Sequence, residues 1–162
     1  MRTSDVLDFT VNATVGGFSE GFPMKRMTST LREFVEKQEL LRIAYADGGQ
    51  PRVLPVWFVI IGSNYYIGTG ADSPKWKAMR REQRVGWAID GGKQHKYKGV
   101  SIYGNVEEVT DKKLRAKIYR AFGQKYFGSA DHPRHVKIWG EVDDPASVFI
   151  HLKMKDGFWW EY

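Results

Sequence analysis

The sequence contains no cysteine. That excludes structural disulfides, thiolate metal sites and a cysteine nucleophile. No run approaches the ~18 apolar residues of a membrane span, so no membrane association is expected. No basic segment leading into an apolar stretch opens the chain, so no secretory signal is read and a cytoplasmic location is expected. Histidines number only four: His95, His132, His135 and His151. Two of them fall in His132-Pro133-Arg134-His135, where the intervening proline and arginine discourage metal ligation, so no metal is expected. His151 lies in an apolar stretch and reads as a core or interface histidine. The spacings offer no Ser-His-Asp set and no paired carboxylates. Internal repeats and low-complexity segments are also missing.

What is there is a chain of 162 residues, 42% hydrophobic and 14% aromatic, enough for one folded domain with a core of its own. The formal net charge is +6. Between Asp72 and Arg84 five bases (Lys75, Lys77, Arg80, Arg81, Arg84) face two acids (Asp72, Glu82), a local +3, which favours one local anion site over a diffuse basic coat. Aromatic residues are not interleaved with these bases as a stacking platform requires, so a nucleic-acid partner is not expected.

Residues 1–27 carry Gly16, Gly17, Gly21 and Pro23 without sustained periodicity and read as an N-terminal extension or arm; residues 28–162 read as the folded domain. Thr30-Leu31-Arg32-Glu33 has the form of a capping box opening a helix to about Gln38. The period then changes from helical to alternating. Leu41, Ile43 and Tyr45 share one side of a strand that ends at the hairpin signal Asp47-Gly48-Gly49. "RVLPVWFVII" (52–61) is nearly continuous apolar, and Pro55, which cannot donate to a ladder, implies a bulge or an edge. Gly62-Ser63-Asn64 turns into "YYIGT". "VGWAI" (85–89) is a strand closed by Asp90-Gly91-Gly92, and "GVSIYGNVEEV" (99–109) alternates again. Thr110 to about Phe127 is helical, with Leu114, Ile118, Ala121 and Phe122 in one stripe. "ASVFIHLKM" (146–154) and "GFWWEY" (157–162) read as two strands around a Lys155-Asp156-Gly157 turn. Strands joined by short turns, with a few helices attached, suggest a small antiparallel barrel.

The stretch "GTGADSPKWKAMRR" (68–81) carries the clearest chemistry. Ser73-Pro74 is a helix start, serine on the cap and proline where its missing N–H costs nothing. The first turn offers free amides and the positive end of the helix dipole. Lys75 and Lys77 lie in that turn, where cations oppose the dipole by a few tenths of a kcal/mol to about 1. An anion held there offsets that cost, and Thr69 can add a hydroxyl. Trp76 and Met79 would anchor the helix.

From "DGGQPRVLPVWF" through "YIGTG", "SPK" and "QRV" to "GVSIYGNVE", the chain resembles the flavin-binding split-barrel superfamily, the group related to pyridoxamine 5′-phosphate oxidase. The resemblance covers roughly Thr28 to Trp160. It implies a mainly β fold with flanking helices, a six-stranded antiparallel split β-barrel that forms a homodimer with flavin at the subunit interface. It implies a flavin-dependent oxidoreductase that binds FMN and moves hydride to or from a small molecule. The alternatives within the resemblance are a reductase using the deazaflavin coenzyme F-420, or a flavin-binding protein without turnover; haem is a minor reading, through a histidine near the C-terminus.

Carried over by position, Arg52, Val53, Leu54, Pro55, Val56 and Trp57 would border the isoalloxazine ring. Thr69 and the adjoining Gly70 would lie at the phosphate region, and Ser73 and Lys75 would bind the phosphate, with Lys77 beside them. Trp159, or its neighbour Trp160, would approach the ring from the partner subunit; Tyr97 is a further candidate wall. No side-chain acid or base is expected to be essential, because the cofactor carries the hydride chemistry. The oxidase itself has an Arg-Lys pair where this chain has Pro74-Lys75, a lysine at the place of Trp57, a glutamine at that of Gly99, and a substrate-gripping Arg and His near its end. "DGFWWEY" has neither, so oxidation of pyridoxamine phosphate is not expected.

Overall fold

The computed structural model describes residues 14–18 and 27–162. In chain order the elements are β1 (Thr14–Phe18), α1 (Ser29–Lys37), β2 (Leu40–Asp47), β3 (Gln50–Ile61), β4 (Asn64–Gly70), α2 (Pro74–Arg81), β5 (Arg84–Lys93), β6 (Lys96–Glu108), α3 (Lys112–Phe127), α4 (Pro133–Trp139) and β7 (Ser147–Glu161). The strands run β1-β7-β4-β3-β2-β5-β6, every pairing is antiparallel, and β6 returns to pair with β7. Six strands, β2 to β7, therefore close into a ring, as expected. Of the arm, Gly16 and Gly17 lie in β1, which pairs with the end of β7; Gly21 and Pro23 lie outside the described residues.

Alternation decides which side chains fill the ring. Leu41 and Ile43 of β2, Val85, Trp87 and Ile89 of β5, and Val100 and Ile102 of β6 are buried in one cluster with Phe58, Ile67 and Leu152. Each such aliphatic side chain contributes roughly 1.5–3 kcal/mol on burial. Helix α1 stoppers the ring through Leu31 and Val35, and α2 through Trp76 and Met79. A second cluster lies outside the barrel wall, where Ile118, Tyr119 and Phe122 of α3 and Trp139 of α4 cover Val59, Tyr66 and Phe149. Gly68 makes this possible: a Cβ there would stand 2.6 Å from the Trp139 ring.

Four local expectations change. Helix α1 is capped by Thr28, not Thr30: the Thr28 hydroxyl accepts the Leu31 N–H at 3.1 Å. Glu33, the expected return partner of a capping box, instead pairs with Lys37 at 2.9 Å. Strand β5 runs through Asp90-Gly91-Gly92 to Lys93, and the turn falls at His95, whose φ is 64°. Residues 147–161 form one continuous strand rather than two. Its register against β6 shifts between Tyr103 and Gly104, so Lys155 is accommodated as an irregularity in the ladder rather than in a turn. Finally, the histidine pair His132-Pro133-Arg134-His135 opens a helix, α4, that the sequence does not announce. His132 is its cap, with Nδ1 accepting the Arg134 N–H at 3.2 Å, and Pro133 opens it. No helix among the described residues is long and apolar enough to cross a membrane.

Candidate cofactor site

The barrel is split between β3 and β4. The two pair only from Phe58↔Ile67 to Ile61↔Asn64, and beyond that point β4 continues on β7 while β3 continues on β2. From Gln50 to Trp57, β3 therefore has β2 on one side and, among the described residues, no strand on the other. Pro55 sits on this free edge in unbroken register with Arg42, so the edge explains it and no bulge is needed. At the split the Tyr126 hydroxyl accepts the Phe58 N–H at 2.9 Å and lies 2.8 and 2.9 Å from the Glu39 and Phe58 carbonyls.

The six residues assigned to the ring's border differ in what they present. Arg52, Val53, Leu54 and Pro55 are exposed, Val53 to 63%. Val56 is buried. Trp57 is half-buried, stacked on Tyr126 at 4.5 Å and edge-on to Phe127 at 5.7 Å, so α3 fixes its ring.

The second part of the site forms where β4 runs into α2. The Thr69 and Ser73 hydroxyls are 2.9 Å apart, the Ser73 oxygen caps α2 by accepting the Trp76 N–H at 3.3 Å, and the Gly70 carbonyl accepts the Ser73 N–H at 3.1 Å. Both threonine and serine are thus held rigidly at the helix start, the geometry that favours an anion. Lys75 is half-buried, and burial pushes its ammonium pKa down from 10.5. Among the described residues no carboxylate lies within ion-pair distance of it.

The other bases of this stretch sort differently. Lys77 is exposed and 3.7 Å from Asp72. Arg81 reaches Asp47 at 3.0 Å, tying α2 to the end of β2, and Arg84 holds Glu82 at 2.8 Å, lowering that carboxyl to about 2. Three of the five bases behind the local charge of +3 therefore have carboxylate partners, leaving Lys75 and Arg80.

Trp159 is 8% exposed and belongs to the barrel core of its own chain. The two-residue period of β7 turns Phe158 and Trp160 the other way, Phe158 being 46% exposed and Trp160 packed where a Cβ on Gly99 would be. Tyr97 is exposed at the start of β6. His151 is half-buried, its Nε2 3.1 Å from Asn64 Oδ1 and its ring stacked on Tyr66.

One surface was missed in the sequence. A groove of about 510 Å³ runs across the outside of the barrel, floored by Ala44, Gly86, Ala88 and Ser101 and edged by Val53 and Phe158. The signal was present as alternation: "RIAYA" and "VGWAI" place large residues inward and alanine or glycine outward.

The model of the pyridoxamine 5′-phosphate oxidase family matches residues 27–160. The chain belongs to this family, whose split barrel the six-stranded ring reproduces. No curated protein matches it in sequence. Among solved structures it is similar to a conserved hypothetical protein of Mycobacterium tuberculosis (TM-score 0.69, 21% identity, 89% of each chain covered). A FAD-binding protein from Mesorhizobium loti gives 0.65 at 21% identity over 91% of this chain and 98% of the other. The haem storage protein HutZ from Vibrio cholerae gives 0.66 at 15% identity over 84% and 95%.

Proposed function

We propose that the protein is a flavin-dependent oxidoreductase that holds FMN with its phosphate at Thr69, Ser73 and Lys75 and its ring along the free edge of β3. The observation that carries this reading is Lys75, a half-buried ammonium without a carboxylate partner among the described residues, beside the capped start of α2. A dianionic phosphate supplies the missing counter-charge, and the Ser73 hydroxyl, which accepts from Thr69 and Trp76 and keeps its own proton, and the Lys75 N–H are the donors left at the helix start to hydrogen-bond it. The residues present fit the cofactor, and a bound flavin supplies the hydride chemistry. The chain's own part is to hold and orient. Backbone groups from Arg52 to Trp57, free of a partner strand, border the ring, and Trp57, locked by Tyr126, limits its position.

A second copy of the chain completes the site in this reading. Leu40, Val53, Leu54, Tyr103 and Phe158 are exposed on one chain, and large exposed apolar side chains of this kind mark interfaces. The small-molecule substrate then meets the ring's open face in the groove floored by Ala44, Gly86 and Ala88.

The pairing of Lys77 and Arg81 with carboxylates leaves Arg80, among the described residues, as the one further unpaired base of this stretch for the long anionic tail of the deazaflavin coenzyme, which favours FMN. The FAD-binding neighbour supports a flavin. The haem storage neighbour keeps a haem reading in view, though His151 already faces Asn64 here.

The test is the absorption spectrum of protein purified from a host that makes FMN but no deazaflavin, followed by titration with each cofactor and turnover with a reductant. Near-stoichiometric bound flavin, weak deazaflavin binding and turnover are expected. A colourless protein that binds only the deazaflavin transfers the function to that coenzyme, and bound FMN without turnover makes it a flavin-binding protein.

A further inference from the structure

The largest concentration of charge lies outside the cofactor site. Residues 112–137 hold eight bases and one acid, Asp131, a local +7 against +6 for the whole chain. Two of the bases have structural work: the Arg115 guanidinium donates to the Ser147, Asp144 and Val142 carbonyls at 3.1 to 3.5 Å, and Lys125 stands over the Phe58 ring at 3.7 Å. The other six, Lys112, Lys113, Lys117, Arg120, Arg134 and Lys137, are exposed, and none has a carboxylate within ion-pair distance among the described residues.

Their placement follows helical geometry. Lys113, Lys117 and Arg120 are four and three residues apart, hence in one stripe along α3, and like charges at that spacing weaken a helix. The opposite face is committed to the barrel through Ile118, Tyr119, Phe122 and Gly123. Helix α4 packs against α3 through His135 on Tyr119 at 4.2 Å and Trp139 on Phe122 at 5.4 Å, and leaves its own bases Arg134 and Lys137 exposed. A rigid platform thus carries a repulsive cluster that α3 and α4 themselves do nothing to neutralise.

We propose that the outer face of α3 and α4 is a docking surface for an acidic partner protein. Charge complementarity calls for a polyanion, and the remaining surface chemistry selects the kind. Among the large hydrophobic residues exposed on the described helices is Ile138 on α4, 49% exposed and next to Lys137. An exposed aliphatic side chain on the same helix as Arg134 and Lys137 suits a protein contact with a small apolar centre and a charged rim. Stacking of unpaired nucleic-acid bases requires exposed aromatics, which this face lacks, and lying on a lipid surface requires a broad apolar stripe, which α3 spends on the barrel. The inference does not depend on the flavin reading.

The experiment uses the full chain and a fluorescent glutamate-rich peptide with spaced leucines, read by anisotropy at low salt and at about 150 mM. Charge reversal of the stripe, Lys117→Glu with Arg120→Glu, is expected to weaken binding by about tenfold or more. The same change of charge elsewhere, Lys93→Glu with Lys96→Glu at the β5–β6 turn, is expected to cost less than about twofold, because exposed charges outside the docking surface act only through screened long-range attraction. Ile138→Ser is expected to weaken the leucine-bearing peptide and leave an all-glutamate peptide unaffected. Should the reversed helix fail to fold, Lys117→Gln with Arg120→Gln replaces it, with a loss of at least about threefold expected. No binding by the wild-type chain, equal losses in the two charge-reversed variants, or tighter binding of a DNA duplex or phosphatidylserine vesicles than of the peptide each overturns the proposal.

Discussion

Helix α2 and the pair α3–α4 are the two basic regions of the molecule, and they handle their charge in opposite ways. Around α2 three of the five bases have found carboxylates, Asp72, Asp47 and Glu82, and of the two left over Arg80 is exposed while Lys75 is half-buried at the helix start. On α3 and α4 the exposed bases have no such partners among the described residues, and none is drawn inward. Counting charge along the chain ranks α3–α4 higher; burial and pairing rank Lys75 higher. A half-buried, unpaired cation in the first turn of a helix capped by two linked hydroxyls suits a small, closely held anion, whereas a solvated cluster suits a large and loosely held one.

The sharpest way to break this contrast is to remove the α2 cradle. Lys75→Ala with Ser73→Ala should weaken FMN binding by about 2 to 4 kcal/mol, the loss of a charge-assisted hydrogen bond and of the cap, while Lys117→Glu with Arg120→Glu leaves FMN binding unchanged. Equal effects from both variants, measured by flavin fluorescence titration, would erase the distinction.

A smaller effect comes from pH. Burial holds the Lys75 ammonium below its ordinary 10.5. Anion binding needs the protonated amine, so affinity for FMN should fall as pH rises through that lowered value, by up to about 1.4 kcal/mol per unit. Lys75→Arg should keep the affinity over the same range, and an identical alkaline loss in that variant would assign the titration to another group.

The platform beneath the exposed cluster has its own pH signature. His135 is fully buried among Tyr119 and Phe127, and burial pushes its pKa below the ordinary 6.5, with His132 adding to the effect. The unfolded chain therefore takes up the proton first. Stability is fully present above pH 6.5 and drains as pH falls below it, by at most about 1.4 kcal/mol per unit. His151 is shifted in the same direction by burial, so the measured quantity is the difference in acid slope between the wild-type chain and His135→Asn in urea unfolding. An unchanged slope would remove His135 from the account.

The smallest expected effect is at Arg81, exposed and paired with Asp47. Arg81→Ala should cost between 0 and about 1 kcal/mol of stability and leave FMN affinity within about twofold. A large loss of affinity would return Arg81 to the cofactor's tail.

Much of this was legible in the sequence because the signals were local. Ser73-Pro74 specified the start of α2, Pro55 the edge of β3, and the alternation in β2, β5 and β6 the barrel core. The unbroken β7 was not legible, since Lys155-Asp156-Gly157 has the composition of a turn and only the pairing with β6 keeps it extended. Helix α4 was missed because its cap is an imidazole, a less usual acceptor than a hydroxyl or carboxylate. The partner of Arg81 was equally hidden: Asp47 is 34 residues away along the chain, a separation that no spacing rule reaches. Between 12 and 23 residues separate the ring edge from the phosphate cradle, also beyond any helical or strand spacing, which is why the resemblance, rather than periodicity, first joined Arg52–Trp57 to Thr69–Lys75.

The most direct test of the cradle is a calorimetric comparison of FMN with riboflavin, which lacks the phosphate, against the wild-type chain and the Lys75→Ala, Ser73→Ala variant. The wild-type chain should prefer FMN by about 2 kcal/mol or more, and the variant should lose most of that preference. An undiminished preference in the variant would place the phosphate elsewhere and contradict the assignment of Thr69, Ser73 and Lys75.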